Sequence, residues 1–344
     1  MLAYSHLNEK YNMNLPGKIA VIGSGTWATA LAKLVLMKNN HLNWFIRKTE
    51  VIDQFYDTGY NPTYLSNVKF DLTKISFSSN IERTVRDSDT IIIAVPSPYL
   101  KQHLKKLKAS HFRDKFVVSA VKGIVPFDNM VVSEYLSFNY KIPMENVGII
   151  SGPCHAEEVA LDRLSFLTSA CKDIEKAEML SEATSSSILK TSVSTDVIGI
   201  ELAAVLKNIY AFIAGVCHGM GYGDNFQSVL MTNCAREMER FINGLVPRER
   251  SILEPAFLGD MLVTGYSQFS RNRTLGNMIG KGYSVKTAQL EMNMVTEGFY
   301  ATKCIKLMNK KFRVDIPIVD IAYEILYNNV SPRVIIRKLV DVLH

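Results

Sequence analysis

The sequence predicts an α/β chain with a doubly wound sheet domain over 16–194, an all-α domain over 195–344 and an N-terminal tail of residues 1–15. Three observations carry this reading. Short β-branched runs alternate with helical segments through the first half, the pattern of βαβ units on a parallel sheet. The first of these runs ends in a glycine-rich turn that opens a helix. From about residue 195 the extended runs give way to long helical periodicity. Length agrees, since 344 residues at about 150 per domain make about two domains.

Lys18-Ile-Ala-Val-Ile22 is apolar and β-branched and stops at glycine, as a strand buried on both faces should. Thr26 to Lys38 follows with Ala, Leu, Lys and Met at helical spacing, and Leu42 to Ile46 is the next strand. Further strands are expected at 75–77, 90–95, 115–120 and 147–150, with shorter pieces at 164–168 and 188–192 extending the sheet. The second half reads as helices over 196–216, 225–243, 252–264, 284–309 and 317–342. Pro317 suits a first helical position, and Ser331-Pro332 divides the last segment in two.

With 47% hydrophobic and 21% charged residues, the chain is not compositionally disordered, collagen-like or a disulfide scaffold. The net charge of +6 is thinly spread, and its densest stretch, Lys101 to Lys108, reads as one solvated helix face, so no nucleic-acid partner is expected. Cys154, Cys171, Cys217, Cys234 and Cys304 are scattered and never form a C-x-x-C pair. This fits reduced thiols in a cytoplasm and offers no metal framework. Residues 1–16 are polar and lack the apolar core of a signal peptide. No integral membrane segment is expected, because the most apolar stretch, 200–216, is interrupted by Glu201, Lys207 and Asn208.

Gly23-Ser24-Gly25-Thr26-Trp27-Ala28 lies between the first strand and the first helix. In G-x-G-x-x-[GA], the first glycine permits the tight turn and the second lets backbone approach a pyrophosphate. The small third residue lets helix pack on strand. The helix start adds amide donors and partial positive charge, so the turn reads as a Rossmann-like dinucleotide site. An NAD-specific site would carry an acidic residue at the end of the second strand. Arg47-Lys48 stands there instead, which suits a 2′-phosphate and leaves NAD or NADP as the cofactor.

Lys207 sits in a helix apolar nearly all round. A lysine there must be paired, lowered in pKa or able to snorkel out, and only the second makes it an acid–base catalyst. Asp260 follows a glycine and could pair with a lysine. Ser270-Arg271-Asn272-Arg273 has the chemistry to grip a phosphate, and equally that of a capped helix start. Lys122 and the segment Ser151 to Ala156 follow the carboxyl ends of predicted strands, where ligands of such sheets bind. Cys154-His155 is discounted as a catalytic pair because neighbours in an extended segment point apart.

Together these motifs resemble the bacterial-type NAD(P)-dependent glycerol-3-phosphate dehydrogenases. The likeness spans nearly the whole chain after the tail. It rests on 23–32, Ala94 to Ser97, Val121 to Ile124, Ser151 to Val159, Leu206 to Asn208, Ala214-Gly215, Gly219 to Asn225, Leu258 to Asp260, Ser270 to Arg273 and Glu297-Gly298. The resemblance implies Lys207 as proton donor and acceptor, assisted by Lys122 and Asp260. It implies a phosphorylated small-molecule substrate contacted by Lys122, Gly152, Cys154, Lys207, Asn208, Asp260, Ser270, Arg271 and Asn272. Cofactor contacts fall on Gly23, Ser24, Gly25, Thr26, Trp27, Arg47, Lys122, Ala156, Arg271, Val295 and Glu297. It further implies a cytoplasmic homodimer that makes glycerol 3-phosphate for glycerophospholipid synthesis. A related hydroxyacid dehydrogenase and a non-catalytic dinucleotide sensor are the alternatives. The chain departs from the family pattern at Cys154, where a thiol is a weaker hydrogen-bonding group, at Ala28, and at Asn233-Cys234.

Overall fold

The computed structural model describes residues 16–292 and 294–343. The expected tail, 1–15, lies outside them. The chain divides into two compact units. The first comprises the described residues up to Val121 together with Val132–Val197, and the second comprises Lys122–Val131 and the chain from Ile198 onward. A single cut at 194/195 therefore misses one feature, because the segment 122–131 belongs with the helical unit.

The described strands are β1 (Ile19–Ile22), β2 (Leu42–Phe45), β3 (Ile75–Ser78), β4 (Thr90–Ile93), β5 (Phe116–Ser119), β6 (Ile124–Val125), β7 (Met130–Val131), β8 (Val147–Ser151), β9 (Ser165–Cys171) and β10 (Leu189–Ser194). Eight of them form the sheet of the first unit, in the order β10-β9-β8-β5-β4-β1-β2-β3. Strand order reverses beside β1, which pairs in parallel with both β2 and β4. In doubly wound sheets, ligands bind beyond the carboxyl ends at such a reversal.

The last two strands depart from expectation. β9 pairs antiparallel with β8, and β10 runs parallel to β9, so these two oppose the rest of the sheet. The cause lies in the connection. Only 152–164 joins β8 to β9, and Gly152, at φ +128, turns the chain back beside the strand it has just left.

The helices of the first unit are α1 (Thr26–Lys38), α2 (Thr49–Thr58), α3 (Ile81–Arg86), α4 (Leu100–Leu104), α5 (Val132–Tyr140), α6 (Ala156–Ala160) and α7 (Ile174–Thr184). The basic stretch 101–108 is thus helical only to Leu104. Trp44 of β2 is fully buried, with its ring centroid 5.2 Å from that of Phe55 and 5.3 Å from that of Phe70.

The second unit holds α8 (Val197–Gly219), α9 (Asp224–Leu245), α10 (Asp260–Tyr266), α11 (Arg271–Gly280), α12 (Val285–Glu291), α13 (Glu297–Phe312), α14 (Pro317–Tyr327) and α15 (Pro332–Val342), with the β6–β7 hairpin. Two expected helices are broken. The segment 252–264 contains a π-helical turn over Pro255–Gly259 before α10, and 284–309 splits into α12 and α13. Among the described residues, α8 is the one helix long and apolar enough to cross a membrane, and it is buried within the protein.

α8 and α11 approach so closely that side chains are excluded between them. A Cβ on Gly276 would stand 2.0 Å from the Phe212 carbonyl oxygen, and one on Gly280 would stand 2.2 Å from that of Val216. From the other side, a Cβ on Gly215 would meet the Arg273 oxygen at 2.1 Å. Glycine at these positions lets backbone touch backbone. That contact brings the short side chains of Asn208 and Asn272 within reach of each other.

Candidate active site

The glycine turn follows β1 as predicted. Gly23 has φ +129, and a Cβ there would lie 2.5 Å from the Ala94 carbonyl oxygen, so only glycine fits. Gly25 has no atom within 4 Å of a Cβ position, which leaves room for a ligand beside the backbone. No side chain caps the N-terminus of α1. An uncapped helix start behind an open glycine is what a dinucleotide's pyrophosphate requires, so these residues fit the cofactor. Thr26 and Trp27 open the helix half-buried, and the Trp27 indole donates to the Ala120 carbonyl at 3.0 Å. Arg47 is exposed one residue beyond the buried end of the second strand segment.

Elsewhere in the first unit, Gly152, Cys154 and Ala156 are all buried after the carboxyl end of β8. The Ser151 hydroxyl, also buried, has no protein partner. The five cysteines are unbridged and buried.

The second unit supplies a charged cluster in an apolar setting. Lys207 projects from the middle of α8 and is only 5% exposed, and Asp260, at the start of α10, is 1% exposed. The Lys207 ammonium lies 2.5 Å from Asp260 Oδ1, and the Lys122 ammonium 3.2 Å from Asp260 Oδ2. One carboxylate thus serves two ammonium groups. Burial pulls the Lys207 pKa down to about 7; Asp260 opposes this, and the like charge of Lys122 adds to it. Burial alone would raise Asp260, but the two lysines outweigh it and hold the carboxyl below its ordinary value. Of the readings open for a lysine in this helix, pairing and a lowered pKa both apply.

Around this cluster runs a chain of amide contacts. Asn208 donates to the Lys122 carbonyl at 2.8 Å and to the Ala204 carbonyl at 3.0 Å. Its own carbonyl accepts from Asn272 Nδ2 at 2.9 Å, and Asn272 Oδ1 accepts from the Gly298 amide at 2.9 Å. Asn208 and Asn272 therefore tie the hairpin segment, α8, α11 and the start of α13 together, with few hydrogen-bonding positions left for a ligand. Ser270 caps α11 by accepting from the Arg273 amide at 3.3 Å, which is the helix-start alternative weighed above. Arg271 is exposed at the first position of that helix and donates to the Val295 carbonyl at 3.0 Å. Glu297 begins α13 half-buried.

Sequence reading alone did not single out Asn61 and Trp44. Both reach into the glycine turn from distant positions, and neither stands in a motif. A lone asparagine before Pro62 in a polar segment carries no signal that it is buried.

Residues 18–177 match the family described as NAD-dependent glycerol-3-phosphate dehydrogenase N-terminus, and 196–337 match its C-terminus. The chain is 32% identical over 322 residues to a glycerol-3-phosphate dehydrogenase (NAD(P)+) from Clostridium botulinum, covering 94% of this chain and 96% of that one. It is 34% identical over 326 residues to the enzyme of the same name from Oceanobacillus iheyensis, covering 94% of each chain. A crystal structure of glycerol-3-phosphate dehydrogenase from Coxiella burnetii superposes with TM-score 0.87 at 25% identity, covering 94% of this chain and 99% of that one.

Proposed function

The chain belongs to the NAD-dependent glycerol-3-phosphate dehydrogenase family, and on that premise we propose that it interconverts dihydroxyacetone phosphate and sn-glycerol 3-phosphate with Lys207 as the proton donor and acceptor. It is an oxidoreductase that uses NAD or NADP. The observation that carries the assignment of Lys207 is its burial in α8, which brings its pKa down near neutrality while Asp260 holds the ammonium in place. A general acid–base group works best when its pKa lies near the working pH.

A bound nicotinamide dinucleotide would supply the hydride chemistry at C2 of the substrate. On the family resemblance, the residues that would hold it are Gly23 to Trp27, Arg47, Lys122, Ala156, Arg271, Val295 and Glu297. Lys207 gives its proton to the C2 oxygen as that oxygen becomes an alkoxide, and in the reverse direction it takes the proton from the C2 hydroxyl. Asp260 fixes the ammonium in place. Lys122 adds a second positive charge against the developing alkoxide, a charge already oriented before reaction. Arg271 commits one of its five N–H donors to the Val295 carbonyl and keeps others for the substrate phosphate. Holding the non-reacting phosphate places the carbonyl for transfer. Ser270 and Asn272 support this by fixing the start of α11, and the family resemblance adds Gly152 and Cys154 to the substrate contacts.

On the family resemblance, the product feeds glycerophospholipid synthesis and the chain works as a cytoplasmic homodimer. The reaction is tested by following oxidation of NADH and NADPH by their near-ultraviolet absorbance. Dihydroxyacetone phosphate should support it, and unphosphorylated dihydroxyacetone and 2-keto acids should not. Turnover of a 2-keto acid without turnover of the phosphate ester contradicts the assignment.

A further inference from the structure

The glycine turn owes its shape to side chains from elsewhere in the first unit. Its three successive carbonyls are each tied down: Gly23 O accepts from Trp44 Nε1 at 2.7 Å, Ser24 O from Asn61 Nδ2 at 3.1 Å, and Gly25 O from Thr29 Oγ1 at 3.0 Å. Of the three donors, Asn61 makes the most connections. It is 1% exposed, and its second amide hydrogen reaches Thr29 Oγ1 at 2.8 Å. Its carbonyl accepts from the amides of Thr63 and Tyr64, both at 3.0 Å. All of its polar positions are used, which is what a buried amide needs to be stable in place.

A planar trans peptide points its carbonyl and its N–H in opposite directions. Drawing the Ser24 carbonyl towards Asn61 therefore turns the Gly25 N–H away from the protein body, beside the space left open at Gly25. We propose that Asn61 is a positioning residue for the cofactor: it locks the Ser24–Gly25 peptide so that the Gly25 amide and the uncapped start of α1 face the pyrophosphate before the cofactor arrives. Thr29 couples to the same lock, since one hydroxyl serves both Gly25 O and Asn61. This rests on the reading of the turn as the cofactor site. Affinity gained in this way comes from pre-organisation rather than from contact with the ligand.

Asn61→Ala, in the full chain, should raise the KM for NADH and for NADPH by about tenfold each. The Kd for adenosine diphosphate ribose, which carries the pyrophosphate without nicotinamide, should rise by the same factor. At saturating cofactor, kcat and the KM for dihydroxyacetone phosphate should stay within about twofold, a split that a general loss of structure would not give. Asn61→Asp keeps the acceptor for Thr63 and Tyr64 but cannot donate to Ser24, so it should not rescue binding. If Asn61→Ala does not fold, Thr29→Val, which keeps the branched shape, should still weaken cofactor binding by about threefold. Cofactor binding within twofold of wild type in a folded Asn61→Ala, or in Thr29→Val where the first variant is lost, overturns the proposal. So do equal losses in kcat and in both KM values. A wild-type chain that binds neither dinucleotide overturns the reading of the turn itself.

Discussion

Replacing Asp260 by asparagine keeps the shape of the side chain and removes the charge that two lysines share. Lys207 then keeps its burial and the like charge of Lys122, and loses the carboxylate at 2.5 Å. Stranding one member of a buried ion pair costs about 3–5 kcal/mol. Lys207 can avoid that cost by releasing its proton, and 3 kcal/mol corresponds to about a hundredfold in a protonation equilibrium. A group with its pKa at about 7 is half protonated at neutral pH, so in Asp260→Asn about one per cent would remain protonated there. The lysine that is still protonated is a stronger acid and recovers part of this loss. Reduction of dihydroxyacetone phosphate at neutral pH should therefore fall by roughly 10- to 100-fold. The alkaline limb of the pH profile should move down by about two pH units, while thermal unfolding changes little, because deprotonation relieves the stranded charge. The assay is the steady-state rate across the pH range at saturating cofactor, with a circular-dichroism melt as control. A folded Asp260→Asn whose profile overlays that of wild type, at a rate within threefold, would refute the coupling of Lys207 to Asp260.

Other expectations follow from single contacts. Glu237 is buried in α9 and accepts from the Ile318 and Val319 amides at the start of α14; burial pushes its pKa from 4.5 up to about 8. Between those values the folded chain binds a proton that the unfolded chain does not, so this group's contribution to stability falls as pH rises through that window. Glu237→Gln should flatten that part of the dependence of Tm on pH, and an unchanged slope would contradict the assignment. Gly276→Ala drives a Cβ to 2.0 Å from the Phe212 oxygen and should cost about 3 kcal/mol or more, read as a drop in denaturation midpoint. Gly25→Ala, with open space around the new methyl, should leave the midpoint unchanged and weaken cofactor binding instead.

Much of this architecture is visible in the residues themselves. β1 and β4 are runs of apolar, β-branched residues buried on both faces, and that pattern reads directly as interior parallel strand. The direction of β9 and β10 is not visible in the same way, because it depends on how the short connection after Gly152 returns the chain and not on the strands' composition. Lys207 stood out because a cation in an apolar helix conflicts with its surroundings. Its partner could not be read so directly, since Asp260 lies 53 residues on and Lys122 138 residues before Asp260. Ser270 to Arg273 read equally well as a helix cap or a phosphate grip. The structure gives Ser270 and Asn272 internal bonds and leaves Arg271 exposed. Asn61 was invisible because its importance comes from which carbonyl it meets.

If Lys207 moves the proton, Lys207→Ala removes the group that carries it, and its turnover is measured with dihydroxyacetone phosphate at saturating NADH alongside the cofactor's Kd. Turnover should fall by a factor of about 10² or more, with the Kd for NADH within about twofold of wild type. Normal turnover in a folded Lys207→Ala would contradict it.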